Sequence, residues 1–202
     1  PGLVGQVANL TNTAVAAEFN DLASVEAALA RGDVAAILTE PVMTNSCMVL
    51  PEEGFHAGLR ALATKYGALL IIDETHTISS GLGGYTRVHG LKPDIFVAGK
   101  CVAGGMPTAV WGMLDVIAQR LDDYDRSRAS GHSGMGTTLS ANPMQFACLR
   151  ATLSEVMTEA AYAHMEKGAA RLADGLQKAI TRHKAPWHVV RVGARVEFIC
   201  AP

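Results

Sequence analysis

The stretch 68-ALLIIDETHTISSGLGGYTRVHGLKPDIFVAGKCVAGGMP-107 decides the fold of this 202-residue chain. It holds two short apolar runs, Ala68-Leu69-Leu70-Ile71-Ile72 and Ile95-Phe96-Val97-Ala98. The first ends in Asp73-Glu74 and the second in Gly99-Lys100, with small residues beyond. A strand covered on both faces reads as a continuous apolar run rather than an alternating one. Both runs are therefore predicted as buried strands, each delivering a charged residue at its carboxyl end. In open α/β sheets that edge is where ligands bind. A carboxylate and an amine on two rigid elements there make the candidate site.

Working upstream, residues 34–38 are a third strand candidate, closed by Thr39-Glu40-Pro41. This puts a second acid-bearing strand end near the first. Between the two strands, Pro51-Glu52-Glu53 reads as a helix start, with Pro in the first turn and acids at the positive end of the dipole. Phe55, Leu59, Leu62, Ala63 and Tyr66 follow at helical spacing, and Gly67 stops the helix. Strand, helix and strand over 34–73 predict a parallel βαβ unit. A further helix runs from Asn20-Asp21 to about Arg31, with Leu22, Val25 and Leu29 on one face. Residues 1–19 read as irregular, and the 42–50 loop carries Asn45 and Cys47.

Downstream, 78–91 reads as a Gly- and Ser-rich loop, and 108–112 as a strand antiparallel to its predecessor because the connection is short. Residues 122–136 are polar and glycine-rich, and predict a surface loop or a segment ordered by a partner. Asn142-Pro143 opens a helix whose face is Phe146, Leu149, Leu153 and Val156. A second helical stretch, 159–183, carries Met165, Ala169, Leu172, Leu176 and Ile180, and little punctuation separates the two, so one bent element is expected. Residues 189–200 begin a new β region, whose run Val196–Cys200 has no later strand to pair with. A boundary near Ala185-Pro186 divides a domain over 1–185 from the start of another over 186–202. The fold class expected is α/β, a mixed and mostly parallel sheet flanked by helices. Both ends read as cut, so the chain is expected to be an internal piece of a longer protein.

Composition narrows the function. The chain is 49% hydrophobic and 18% charged, enough apolar material for a sizeable core. A net charge of -2 gives no electrostatic footprint for nucleic acid. No apolar run has the length of a membrane span, and no signal-peptide pattern opens the sequence. Cys47, Cys101, Cys148 and Cys200 form no CxxC frame and read as the reduced, partly buried cysteines of a cytoplasmic protein. Asp73-Glu74-Thr75-His76 offers ligand atoms, but no HxH, HxxxH or CxxC frame joins it, so no metal site is expected. No Gly-Lys-Ser/Thr follows the glycines at 81, 83 and 84, and Gly131-His132-Ser133-Gly134 lacks the setting of a nucleophilic serine.

Lys100 stands among Ala98, Gly99, Cys101, Val102 and Ala103, with no adjacent counter-ion in sequence. It is either a solvated lysine at a turn or an amine in a poorly solvated pocket, where the neutral, nucleophilic form is favoured. Asp73 is either a cap or structural ion-pair partner, or a carboxylate facing a protonated pyridine nitrogen.

Taken together, Ile72-Asp73-Glu74, Pro93-Asp94-Ile95, Gly99-Lys100, Gly104-Gly105 and Pro107 resemble the signature of the class III pyridoxal-phosphate aminotransferases. That family includes glutamate-1-semialdehyde aminomutases, ω-amino-acid transaminases and amine transaminases. Glu40-Pro41-Val42, Gly67–Ile72 and Thr138–Pro143 fall in family order too, so the resemblance covers most of the chain. It implies part of a fold-type-I large domain and the start of a C-terminal small domain. It implies that Lys100 forms a Schiff base with pyridoxal 5′-phosphate and shuttles the substrate proton, and that Asp73 binds the pyridine nitrogen. Thr75 would pack on the ring face, where many relatives carry Val or Ile. His76 stands where many carry a Gln that hydrogen-bonds the 3-hydroxyl, and it is otherwise a histidine in a polar loop. Asn45 matches an asparagine with that task in the aminomutase-like branch. Thr138 would reach the cofactor phosphate of a neighbouring subunit in a homodimer. Glu40 is open between a substrate-side acid and a structural partner of an arginine.

The family's glycine-serine phosphate loop and ring-stacking aromatic would precede this chain, and its substrate-carboxylate arginine would follow, so the piece alone is expected to be inactive. The activity implied is a ping-pong transamination between a small-molecule amino donor and a keto or aldehyde acceptor. A glutamate-1-semialdehyde-type aminomutase, a racemase and an inert fragment are the alternatives.

Overall fold

The computed structural model describes residues 9, 11, 13–45, 47–127 and 140–201. Its centre is a four-stranded sheet of β1 (Ala36–Thr39), β2 (Leu69–Asp73), β3 (Ile95–Ala98) and β4 (Val110–Met113), in that spatial order. β1 and β3 both run parallel to β2, and β4 returns antiparallel on β3. The sheet is mixed and mostly parallel, as the apolar runs predict. Register fixes the rest. Thr39 lies opposite Ile72, and Asp73 lies opposite Val97. Glu40, Asp73 and Lys100 therefore follow the ends of three adjacent parallel strands along one edge.

Two helices cover the βαβ unit. In α1 (Leu22–Leu29), Asp21 accepts hydrogen bonds from the Ala23 and Ser24 amides, the cap its position predicts. The other helix is α2 (Phe55–Tyr66), closed by Gly67 at φ 68, whose amide reaches the Ala63 and Thr64 carbonyls. Val25, Leu29, Phe55, Leu59 and Ala63 bury against Ala68, Leu70 and Ile72. The helix does not begin at Pro51. Gly54 takes a left-handed φ of 83, which breaks the helical path before Phe55. The Arg60 guanidinium pairs with Asp94 at 2.6 Å, and the same carboxylate oxygen accepts from the Leu70 amide at 2.7 Å. That one acid ties α2 to the starts of β2 and β3.

The 78–91 stretch is not a plain loop. A 3-10 turn at Thr77–Ser80 and α3 (Gly84–Val88) occupy it. The polar segment after β4 also differs from expectation, because α4 (Asp115–Ser127) fills its described part. This helix buries no residue; Gln119 bonds Asp123 at 2.9 Å, and Arg126 lies 3.9 and 3.8 Å from Asp122 and Asp123, pairs made on the helix's own surface.

Asn142 starts α5 (Pro143–Ala151) with a reciprocal capping box to Gln145. A π-helical turn, Thr152–Val156, continues it. Leu149 joins a second buried cluster with Ile78, Ala98, Val102 and Ala103. The rest of the predicted face stays outside: Phe146 is 56% exposed and Val156 61%. At Met157 the path breaks, and Thr158 caps α6 (Glu159–His183) by accepting from the Ala161 amide. These are two helices with separate starts rather than one bent element. The chain ends in an antiparallel hairpin, β5 (His188–Val192) with β6 (Arg195–Ile199). The Val196–Ile199 run thus pairs with the strand before it. Val190 and Val192 pack on buried Val42, Met48 and Tyr85.

Candidate active site

Asp73 and Glu74 leave β2 side by side, and a strand sends neighbouring side chains opposite ways. Glu74 is fully buried. Its carboxylate accepts from the Thr77 hydroxyl at 2.5 Å and from the Tyr85 and Thr86 amides at 3.1 and 2.5 Å. A buried carboxylate requires such donors, and these three stitch the 3-10 turn and α3 to the end of β2. The fit is tight, since a Cβ on Gly84 would lie 2.7 Å from Glu74 Oε2. Sequence reading placed Glu74 at the strand end but missed this role, because its donors are backbone groups of a segment that reads as loop.

Asp73, by contrast, is half-buried at the edge. Its Oδ1 accepts from the Thr75 amide at 2.8 Å. Among the described residues no other hydrogen bond and no cation reaches this carboxylate. One oxygen orients the group, and the other is left for an incoming donor.

Lys100 opens a 3-10 turn, Lys100–Ala103, whose Val102 and Ala103 are buried beside Leu149. The apolar neighbours that predict a poorly solvated amine point inward, whereas Lys100 itself, at φ 53, is exposed. That expectation is not met within this chain: the left-handed backbone turns the lysine out while the next turn goes in. Thr75 lies close by. A methyl placed on Gly99 would sit 3.5 Å from both Cγ2 and Oγ1 of Thr75. The sheet edge thus holds Asp73, Thr75 and Lys100 on two adjacent strands.

His76 turns toward the end of β1. Its Nδ1 lies 2.6 Å from the Thr44 hydroxyl and 3.6 Å from a Glu40 carboxylate oxygen. Thr44 is buried and also donates to Glu40. Paired amide bonds between Met43 and Val49, at 3.1 and 2.9 Å, pin the loop that carries it. Among the described residues Glu40 therefore meets a threonine and a histidine, and no arginine. Thr44 was missed because nothing in sequence distinguishes one loop threonine, and its partner is 32 positions away. Asn45 sits exposed in the same loop, and no contact joins it to His76. Thr138 lies outside the described residues.

Two aromatic groups brace the site from behind. His56 Nε2 is 2.8 Å from the Pro41 carbonyl, and burial is the main cause lowering its pKa. The Tyr162 hydroxyl of α6 donates to the Ile78 carbonyl at 2.8 Å. Burial, with smaller effects from Cys101 and Glu74, pushes that phenol up to about 12.

Comparison with known proteins gives the family and the fold. The family model for "Aminotransferase class-III" matches residues 3–199. A glutamate-1-semialdehyde 2,1-aminomutase of Anaeromyxobacter sp. (strain Fw109-5) is 39% identical over 206 aligned positions, covering 100% of this chain and 46% of the relative. A crystal structure of a lysine-to-alanine variant of a glutamate-1-semialdehyde aminomutase from Pseudomonas aeruginosa PAO1, in complex with PMP, is 54% identical with a TM-score of 0.87. It covers 91% of this chain and 42% of that one. A β-phenylalanine aminotransferase from Variovorax paradoxus shares the fold at 24% identity and a TM-score of 0.80, over 93% of this chain and 43% of its own. The α/β fold is thus that of the aminotransferase large domain, and the chain spans less than half the length of these relatives.

Proposed function

The chain belongs to the class-III aminotransferases, and on that premise we propose that the protein moves an amino group between an amine or amino acid and a keto acid or aldehyde, using pyridoxal 5′-phosphate. The observation that carries this reading is the placement of Asp73 at the end of one parallel strand and of Lys100 just past the end of its neighbour. Asp73 keeps one oxygen oriented by the Thr75 amide and the other available, which suits a protonated ring nitrogen. Lys100 is an accessible amine on a backbone anchored by buried Val102 and Ala103. When bound, the cofactor supplies an aldehyde for covalent attachment and an electron sink for the substrate's reacting carbon. Lys100 is the attachment point, and later takes and returns the proton at that carbon. Asp73 holds the ring nitrogen protonated, and Thr75, next to Gly99, packs on the ring face. His76 and Asn45 serve the ring hydroxyl, and Thr138 serves the phosphate of the partner in a homodimer.

We assign residues 1–185 to the large domain and 186–202 to the start of the small one, and the protein to the cytoplasm, in keeping with four free cysteines, of which only Cys148 is half-buried as expected and the other three are exposed. Among the described residues no helix is long and apolar enough to cross a membrane. The stretch by itself is inactive in this reading, which is in keeping with its spanning less than half the length of its relatives.

The names of the relatives favour a second reading, an aminomutase of the glutamate-1-semialdehyde type, which returns the amine to the same substrate. One experiment addresses both. The whole protein, loaded with pyridoxal phosphate and reduced with borohydride, carries the label on Lys100. In an unreduced aliquot of the same loaded protein, exchange between a separate donor and acceptor supports transamination, and isomerisation without exchange supports the aminomutase. Labelling elsewhere, or none, overturns both.

A further inference from the structure

The turn that follows the site is gripped from three directions. Thr77–Ser80 comes directly after Thr75 and His76, the residues set against the ring in the reading above. From the end of β2, the buried Glu74 carboxylate accepts from the Thr77 hydroxyl, and the Glu74 carbonyl accepts from the Ile78 amide at 2.7 Å. From α6, Tyr162 donates to the Ile78 carbonyl. The third contact comes from the tip of the β5–β6 hairpin, where Gly193 lies against the backbone of Ser80. A Cβ placed on Gly193 would stand 1.9 Å from the Ser80 carbonyl oxygen and 2.4 Å from its carbonyl carbon, so only hydrogen fits there. Close backbone approach of this kind, at a φ of 53, is what glycine permits. The same hairpin backs a second segment. Val190 and Val192 pack on Tyr85 of α3, and on Val42 and Met48 of the loop that carries Thr44 and Asn45.

We propose that Gly193 is a positioning residue for the cofactor site: it seats the hairpin on Ser80 while Val190 and Val192 hold the 42–48 loop, and the hairpin thereby fixes the separation of the segments that carry Asn45 and Thr75-His76. This rests on the cofactor reading above. The hairpin touches neither ring nor substrate in this role. Backbone packed on backbone cannot yield as the end of a flexible side chain would, so a methyl group at position 193 drives the turn and the hairpin apart. The boundary near 185 is then no hinge, because the first strands beyond it are seated on the edge of the site.

The test uses the whole protein and two readouts. Without cofactor, hydrogen–deuterium exchange is followed in the peptide covering Thr75–Ser80. With pyridoxal phosphate, affinity is measured from the absorbance of the Lys100 adduct. Gly193→Ala is expected to speed exchange in that peptide and to weaken cofactor affinity by about tenfold, the size of one lost hydrogen bond. Val190→Ala combined with Val192→Ala loosens the hairpin without a clash. It moves both readouts the same way by less, and it carries the test if Gly193→Ala does not fold. Leu29→Ala, in the cluster between α1, α2 and the sheet, is the control. It lowers the melting temperature and leaves cofactor affinity within about twofold, because the two regions share no partners. Unchanged exchange in the hairpin variants overturns the seating. Unchanged affinity in variants whose exchange has quickened overturns the positioning role, and so does an equal loss of affinity in Leu29→Ala at a matched melting temperature. If the unmodified protein forms no adduct at Lys100 while the exchange result holds, the seating stands and the cofactor reading falls, taking the positioning role with it.

Discussion

At the scale of single residues, the edge of the sheet divides its work between groups that are held and groups that are left free. Glu74 and Asp94 are held by backbone amides and an arginine, whereas Asp73 and Lys100 keep reactive atoms unpartnered among the described residues. Lys100 has the sharper consequence, because it stands at φ 53, where an L side chain costs roughly 1–2 kcal/mol. Lys100→Ala is expected to abolish turnover without unfolding the protein, and Lys100→Gly to do so while raising the melting temperature. Paired activity and calorimetry measurements check this, and retained turnover in either variant removes the lysine from its role. His56 gives a pH effect. Its pKa is lowered in the folded protein, chiefly by burial, so the unfolded chain binds the proton more readily. Its contribution is intact above the ordinary value of 6.5 and is lost as pH falls below that through the lowered folded value. The acid limb of unfolding free energy against pH should flatten in His56→Gln over that window, and an unchanged limb would refute the assignment.

At the scale of elements, legibility followed burial. β2 and β3 were readable because their apolar runs are continuous, although within the strands only Leu70, Ile72 and Ala98 are buried, and Asp73 at the end of one and Lys100 just past the other interrupt those runs visibly. α4 was not, because it buries nothing: its Asp122, Asp123 and Arg126 make pairs on their own helix surface, and in sequence they look like loop. α5 was read correctly at its start and wrongly along its face. Asn142 and Pro143 are local signals, but burial of Leu149 and exposure of Phe146 depend on what else packs there. The cap itself makes a measurable claim. Asn142→Ala removes the hydrogen bond to the Gln145 amide and should cost about 1 kcal/mol in denaturant unfolding, with Asn142→Asp retaining most of it. The Glu40–Thr44–His76 chain was illegible for another reason: tertiary folding creates it across two loops, and a buried threonine carries no sequence mark.

At the scale of the whole molecule, Tyr162 links the long helix α6 to the turn behind the site through the Ile78 carbonyl. Its phenol is raised from near 10 to about 12, so the contribution is full below about pH 10 and is lost as pH rises toward 12. Tyr162→Phe should therefore lose stability at neutral pH by about 1 kcal/mol and show a shallower alkaline decline. Parallel curves for the two proteins would refute the link. The four-stranded sheet ends, among the described residues, in two bare edges. β1 has no neighbour beyond Leu38, which is 69% exposed, and β4 none beyond Trp111, which is 52% exposed. Bare edges template further strands. If the β1 edge of one copy meets the β4 edge of the next, the contact is head-to-tail and does not close on itself, so growth continues as a filament. Produced alone, this stretch is expected to associate edge to edge. Light scattering should rise with its concentration, and Leu38→Lys should suppress the rise.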